Sequence, residues 1–542
     1  MRGHDAIARA LVDQGVDTVF GLIGDANLFI ADCLVREHGV RYVAATHEAA
    51  VTLMALGYGR ASGQLGVGTI THGPALTNAM TALVEGVRTR SPLLLVAGDT
   101  DPADPHHLQN IGQRELVEAT GAGFEQVRSG ETIAADVATA VRRARHEGRP
   151  VVLDVPVDIE WLDVEYVPAP AVADLPLPSP DHEALDRAVG LIASASRPIV
   201  IAGRGAVLAG ARGPLLRLAD RLGAPLATTL QAQGWFRGAP FDLGIFGTLS
   251  TPLAAEAIAS ADCVVAFGAS LNYFTTDHGA LLAGKRVVQC DVVPAHVGAL
   301  GPVDAGLVGD AGQVADTIVR WLDQAEHKPS GFRSPELERR LRTEATFVPS
   351  GAGAGETAAG TVDPRIVTAR LDALLPAERT VAVDAGRYMY DALRISVPEP
   401  TALVTTHAFG SIGLGLAAAI GASVARPDRP CVLLVGDGGL MLGGLAELNT
   451  ASQLGSDLIV VLYDDGSYGA EHIQFRNKGM DPGLSLHRWP DFARVAEAFG
   501  CTGVTVRSLE DLEAAEAAVS RRDRPLLIDV KLDPDFVSRI PR

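Results

Sequence analysis

Two glycine-bearing turns carry the densest chemistry in the chain. Gly436-Asp437-Gly438-Gly439 and Asp464-Asp465-Gly466-Ser467 bring three carboxylates together, with Asp465 lying 28 residues after Asp437. Glycines let backbone N–H groups approach an anion, and the start of a helix favours negative charge. A carboxylate beside a phosphate repels it unless a divalent cation sits between them. Mg²⁺ takes oxygen ligands and often bridges a carboxylate to phosphate oxygens. These residue types therefore point to a metal-bridged diphosphate site. A lone Gly-Asp-Gly is a common strand-end turn; the second acidic turn gives the pattern its weight.

Each turn closes a short apolar run, Cys431 to Val435 and Leu458 to Tyr463. Runs of this kind form strands buried on both faces of a parallel sheet. The Leu/Ala/Glu-rich stretch from Leu440 to Leu454 predicts one crossover helix. Both turns then fall at the carboxyl ends of neighbouring strands, the edge where open α/β sheets bind ligands.

The rest of the chain alternates in the same way. Asp5 to Gln14 predicts a helix. Val16–Gly21, Val40–Ala44, Leu65–Ile70 and Pro92–Gly98 predict strands, with helices opening at Thr46-His47-Glu48 and near Asn78. Further strands are expected at Arg197–Gly203, Asp262–Gly268 and Arg286–Val292, and Thr380–Arg387 reads as a strand and turn. Asp136–Val155 and Asp511–Val530 align without a gap at an offset of 375 residues. Each reads as helix, basic turn and buried strand, which marks duplicated α/β domains. The fold class is therefore α/β, with three doubly wound parallel-sheet domains. The expected boundaries are 1–165, 183–327 and 362–542, joined by linkers 166–182 and 328–361. The first linker is proline-rich. The second contains Gly351-Ala352-Gly353-Ala354-Gly355, which lacks a preceding strand and reads as flexible chain rather than a phosphate loop.

Bulk properties exclude several classes. At 542 residues with 47% apolar and 20% charged residues, the chain is globular and multidomain. A net charge of −19 argues against nucleic-acid or anionic-membrane partners. The apolar stretch Gly413–Ala425 is shorter than the ~20 residues a membrane span needs. Five scattered cysteines read as reduced core residues. No secretory leader is expected ahead of the first helix, so the expected location is cytoplasmic.

The paired turns resemble the thiamine-diphosphate motif: Gly-Asp-Gly, a spacer of nearly this length, then Asn-Asn. The family's Asn pair is Asp464-Asp465 here, which keeps an oxygen ligand and adds negative charge. By this resemblance Asp437, the Asp465 side chain and the Ser467 carbonyl hold Mg²⁺. Gly436, Gly438, Gly439, Tyr468, Gly386 and Arg387 surround the diphosphate, with Arg387 a candidate to offset the extra charge. Acetolactate synthases and related decarboxylases carry a Glu at the place of Glu48, then a Thr-Ser-Gly-Pro-Gly turn. That turn is Thr71-His72-Gly73-Pro74-Ala75 here, with Asn78 just beyond it. The family's Glu bonds N1′ of the aminopyrimidine. The Gly410 carbonyl would accept from the 4′-amino group, and Ile412 would wedge the rings into their bent shape. On local pattern alone, Glu48 reads as a helix-start acid and Ile412 as core.

Substrate-side candidates follow from the same resemblance. Gln109 matches a substrate-facing glutamine. His72 stands where the family has Ser, and is either a turn filler or a proton donor or carboxylate anchor beside the reacting carbon. His106 and His107 read as solvent-facing or gating. Glu471 falls where pyruvate-type decarboxylases place a catalytic Glu, and is otherwise a first-turn acid. Catalytic candidates are thus Glu48, His72, Gln109 and Glu471. The implied reaction is decarboxylation of a 2-oxo acid followed by carboligation to a second carbonyl compound. The alternatives are simple decarboxylation to an aldehyde, or a cofactor-free scaffold that retains the fold. The implied cofactors are thiamine diphosphate and Mg²⁺. Gly203-Arg204-Gly205 resembles a dinucleotide turn only weakly, so FAD is not expected. The expected assembly is a homodimer or a dimer of dimers.

Overall fold

The computed structural model describes residues 1–173, 176–344 and 357–536. The described strands form three six-stranded parallel sheets. The first contains β1 (Thr18–Gly21), β2 (Arg41–Ala44), β3 (Gly66–Ile70), β4 (Leu93–Asp99), β5 (Gly123–Gln126) and β6 (Pro150–Pro156). The second contains β7 (Pro198–Ala202), β8 (Leu226–Thr228), β9 (Asp242–Ile245), β10 (Cys263–Phe267), β11 (Arg286–Asp291) and β12 (Ala305–Val308). The third contains β13 (Thr380–Asp384), β14 (Leu403–Thr406), β15 (Cys431–Gly436), β16 (Leu458–Asp464), β17 (Thr502–Val506) and β18 (Leu526–Lys531). The first and third sheets belong to one compact unit and the second to another.

The first sheet runs β2-β1-β3-β4-β6-β5 and the third β14-β13-β15-β16-β18-β17. The two orders are identical once each set is numbered from its own start. The repeated segments supply β6 and β18, which occupy equivalent places. The internal repeat is therefore a repeat of topology. Strands β15 and β16 are buried almost throughout, as their unbroken apolar runs require.

The two halves of this unit meet through the helices Glu48–Ser62 and Gly415–Ala425, the second of them rich in glycine and alanine. A Cβ on Gly57 would lie 1.9 Å from the Ala418 carbonyl oxygen, and one on Gly421 would lie 1.9 Å from that of Met54. Glycine at both positions lets the helices touch backbone to backbone, in a reciprocal arrangement. Leu53, Met54 and Leu56 share one buried cluster with Ala417, Ala418 and Ile420.

Four details differ from the sequence expectation. The helix expected near Asn78 starts at Pro74, whose fixed φ suits the first helical turn. The crossover after β15 is two short helices, Asp437–Gly443 and Glu447–Gln453. The break falls at Gly443-Gly444, where a Cβ on Gly443 would come within 2.3 Å of the Gly413 carbonyl oxygen. The start of the proline-rich stretch is docked: Tyr166 donates to Asp13 at 2.7 Å, and Gln14 bonds both Pro170 and Val172. Within the second stretch read as linker, Pro335–Glu344 is helical, while 351–355 lies outside the described residues. All five cysteines are free and buried.

Candidate active site

The acidic turns sit at the carboxyl ends of β15 and β16. Asp437 follows β15 directly and is 3% exposed. Its Oδ2 accepts from the Ser467 backbone N–H at 3.2 Å and from the Trp489 indole at 2.8 Å. Asp465 Oδ1 accepts from the same Ser467 N–H at 3.0 Å and from the Ser467 hydroxyl at 2.6 Å. Asp437 and Asp465 therefore converge on one donor. Burial, then repulsion from Asp465 and Asp464, pushes the Asp437 carboxyl up to about 8. Two converging carboxylates, one deeply buried, form a donor set suited to a small divalent cation.

The departure from an Asn pair is matched by two cations. Arg387 Nη2 bonds Asp465 Oδ2 at 2.5 Å, and its Nη1 bonds the Phe536 carbonyl at 2.8 Å. Lys531 pairs with Asp464 Oδ2. Its Nζ also lies 2.7 Å from Asp529 Oδ2, without hydrogen-bond alignment. Arg387 is thus engaged with the turn and with the C-terminal segment.

The glycine cradle is tight. A Cβ on Gly438 would stand 2.8 Å from the Tyr468 ring, and one on Gly439 would stand 2.7 Å from Asp384 Oδ2. Ile412 Cδ1 lies 3.9 Å from that Gly438 position. Tyr468 meets His487 edge-on at 4.6 Å, and His487 stacks on Trp489 at 4.5 Å. Gly436 caps the helix that begins at Asp437. Gly410 is exposed with φ +81°, and Gly386 has φ +152° beside Tyr388.

At the carboxyl edge of the first sheet, Glu48 opens its helix and is half-buried. Its Oε2 accepts from Asn78 Nδ2 at 2.9 Å. His72, just past β3, is 2% exposed. Its Nε2 lies 4.0 Å from Asp25 Oδ1, and its ring lies 5.4 Å from that of His107. The Gln109 backbone packs on Gly73, where a Cβ would meet its carbonyl oxygen at 2.2 Å. Gln109 N–H donates to His107 Nδ1 at 3.3 Å. The structure thus groups His72, His107 and Gln109, and separately joins Glu48 to Asn78. His106 is exposed. Glu471 is exposed on the helix Gly469–Asn477, and its carboxylate makes no hydrogen bond or ion pair among the described residues.

Sequence reasoning missed Trp489, Lys531 and the Asn78 contact. Trp489 comes from a loop with no motif of its own. Lys531 had a signal: it stands two residues after Asp529, where the first repeat has Pro156. Among the described residues, no three His, Cys, Asp or Glu side chains gather around one metal position. No described helix is long and apolar enough to cross a membrane.

The chain belongs to the thiamine pyrophosphate enzyme family. Residues 1–119 match the N-terminal TPP-binding domain, 185–318 the central domain and 384–530 the C-terminal TPP-binding domain. Among its relatives is a sulfoacetaldehyde acetyltransferase of Rhodobacter capsulatus, 30% identical across 95% of this chain and 91% of its own. A probable acetolactate synthase large subunit of Methanocaldococcus jannaschii is 28% identical across 98% and 92%. A probable 2-ketoarginine decarboxylase of Pseudomonas aeruginosa is 31% identical across 94% and 90%. The protein is a thiamine-diphosphate-dependent enzyme.

Proposed function

We propose that this enzyme uses thiamine diphosphate with Mg²⁺ to decarboxylate a 2-oxo acid and join the remaining fragment to a second carbonyl compound. The observation that carries the proposal is the convergence of Asp437 and Asp465 on Ser467 beside the Gly438 cradle. Asp437, Asp465 and the Ser467 carbonyl would hold Mg²⁺. Gly436, Gly438, Gly439, Gly386 and Tyr468 would line the diphosphate. Arg387 balances the charge of Asp465. The Gly410 carbonyl, Ile412 and Glu48 would hold the aminopyrimidine.

Thiamine diphosphate, when bound, supplies the electron sink that lets the bond between carbonyl carbon and carboxylate break. The chain's own groups position and protonate. Glu48 would exchange a proton with the aminopyrimidine through its carboxylate, with Asn78 fixing Oε2. His72 would present a ring nitrogen to the substrate, and Gln109 would orient its carboxylate or carbonyl. Asp437, raised by burial and then by its carboxylate neighbours, would be favoured in its ionised form by a divalent cation held at the acidic turn.

Ligation is preferred because Glu471 is exposed and unengaged among the described residues, and because two of the three relatives named above are an acetyltransferase and a synthase. Simple decarboxylation is the second reading, favoured by the position of Glu471 on the first turn of its helix and by the decarboxylase relative. Family membership sets aside the cofactor-free scaffold. We place the domains at 1–165, 183–327 and 362–542, in a cytoplasmic homodimer or dimer of dimers that closes over Glu48. No FAD is proposed, since the Gly203 and Gly205 N–H groups donate to the Phe267 and Gly268 carbonyls. The test is incubation of the pure enzyme, thiamine diphosphate and Mg²⁺ with pyruvate and other 2-oxo acids, with products identified by NMR. Release of aldehyde alone from every acid would exclude ligation.

A further inference from the structure

The loop after β14 is gripped at two places by buried carboxylates. Asp384 accepts from Gly413 N–H at 2.8 Å and from Leu414 N–H at 3.2 Å. Glu85, on the helix Pro74–Arg88 of the first half, accepts from Ala408 N–H at 3.1 Å through Oε1 and from Phe409 N–H at 2.8 Å through Oε2. Between the grips stand Gly410, Ser411 and Ile412, less buried than the flanking strand and helix. Glu85 is fully buried and sits in the last turn of its helix, where the dipole disfavours an anion. A buried charge in that place is costly unless its hydrogen bonds are made.

The mirror arrangement exists on the other side. Glu447, on the short helix Glu447–Gln453 of the second half, is 1% exposed. Its Oε1 accepts from Thr46 N–H at 2.9 Å and from the Thr46 hydroxyl at 2.6 Å, while its Oε2 accepts from the Thr450 hydroxyl at 2.7 Å. Thr46 lies two residues before Glu48. The two carboxylates follow the equivalent strands β3 and β15, just as Gly57 and Gly421 interlock reciprocally.

We infer that Glu85 and Glu447 are reciprocal positioning residues, each holding from one half of the molecule the cofactor-facing loop of the other. Glu85 fixes the backbone that presents Gly410 and Ile412; Glu447 fixes the turn that presents Glu48. The inference rests on the proposed roles of those three residues.

The two sites differ in what they demand of the acid. Glu85 meets two N–H donors with two oxygens. Glutamine there would turn an NH₂ group against a backbone N–H. Glu447 meets Thr46 with one oxygen and a reversible hydroxyl with the other, so glutamine can satisfy it. Glu85→Gln is therefore expected to raise the thiamine diphosphate dissociation constant at least tenfold by calorimetry. It should also lower hydrogen-exchange protection of the Ala408 and Phe409 amides at least tenfold. Glu447→Gln should change either quantity less than threefold, whereas Glu447→Leu should lower kcat at least tenfold with little change in cofactor affinity. Unchanged protection at Ala408 and Phe409 in Glu85→Gln overturns the inference. Lost protection with unchanged cofactor affinity overturns it through the role given to Gly410 and Ile412. Should Glu85→Gln fail to fold, the Glu447 pair decides: equal loss in the Gln and Leu variants, or no loss in either, overturns it.

Discussion

The indole N–H of Trp489 donates to Oδ2 of Asp437 at 2.8 Å, the oxygen that also takes the Ser467 N–H. A side chain from a loop 52 residues on therefore fixes the rotamer of the central acid. The Trp489 ring is itself held by its stack on His487. Trp489→Phe keeps an aromatic ring to stack on His487 and removes the donor along with the smaller ring that carries it. Partners behind a metal ligand are commonly worth ~10–100-fold in affinity. We expect Mg²⁺ affinity, titrated by calorimetry with thiamine diphosphate present, to fall about tenfold. An unchanged titration would show that Asp437 is oriented without the indole.

Lys531 stands between Asp464 and Asp529. Asp529 is fully buried and Asp464 nearly so. Removing one partner of a buried charge group leaves the others uncompensated. Lys531→Met is expected to cost about 2–4 kcal/mol of stability, somewhat under the buried-pair range because the lysine is partly solvated. Adding Asp529→Asn should recover more than half of it. Denaturant unfolding measures both, and a double variant no better than the single one rejects the charge account.

The sheets were legible because β15 and β16 are unbroken apolar runs with glycine at their ends, and because the repeat placed β6 and β18 alike. The acidic turns were legible because their residues are close in sequence. The broken crossover was not, since the Gly443 break answers to Gly413 across space rather than to its own neighbours. Trp489, Glu85 and Glu447 escaped for the same reason. Glu85 bonds residues 323 and 324 positions away, and Glu447 bonds one 401 positions away. Within its own helix each is an ordinary polar residue.

Glu48 accepts from Asn78 through one oxygen, and glutamine can keep that bond through its amide oxygen. Glu48→Gln removes the carboxylate while sparing the local geometry. General acid–base groups contribute ~10²–10⁴-fold to rate. We expect kcat to fall about a thousandfold, with thiamine diphosphate affinity within a few fold by calorimetry. Turnover at the wild-type rate would remove Glu48 from the activating role.

Glu160 offers a test of stability apart from the site. It is 1% exposed, and its Oε1 has no hydrogen-bond partner. Burial, then the charge of Asp25, pushes its carboxyl up to about 8 from 4.5. The folded state therefore holds this proton more tightly than the unfolded chain does. That contribution is complete below about 4.5 and is lost as pH rises through about 8. Burial and Asp99 push Asp154 up as well, to about 7, so the wild-type slope is not due to Glu160 alone. The difference between wild type and Glu160→Gln isolates it, because glutamine matches the protonated acid in shape and does not titrate. At pH 5 the two proteins should melt within about 1 °C of each other. By pH 9 the variant should be more stable by roughly 2 kcal/mol, about 2 °C in Tm for a chain of this length. Parallel melting curves from pH 5 to 9 would mean that Glu160 is solvated or paired when ionised.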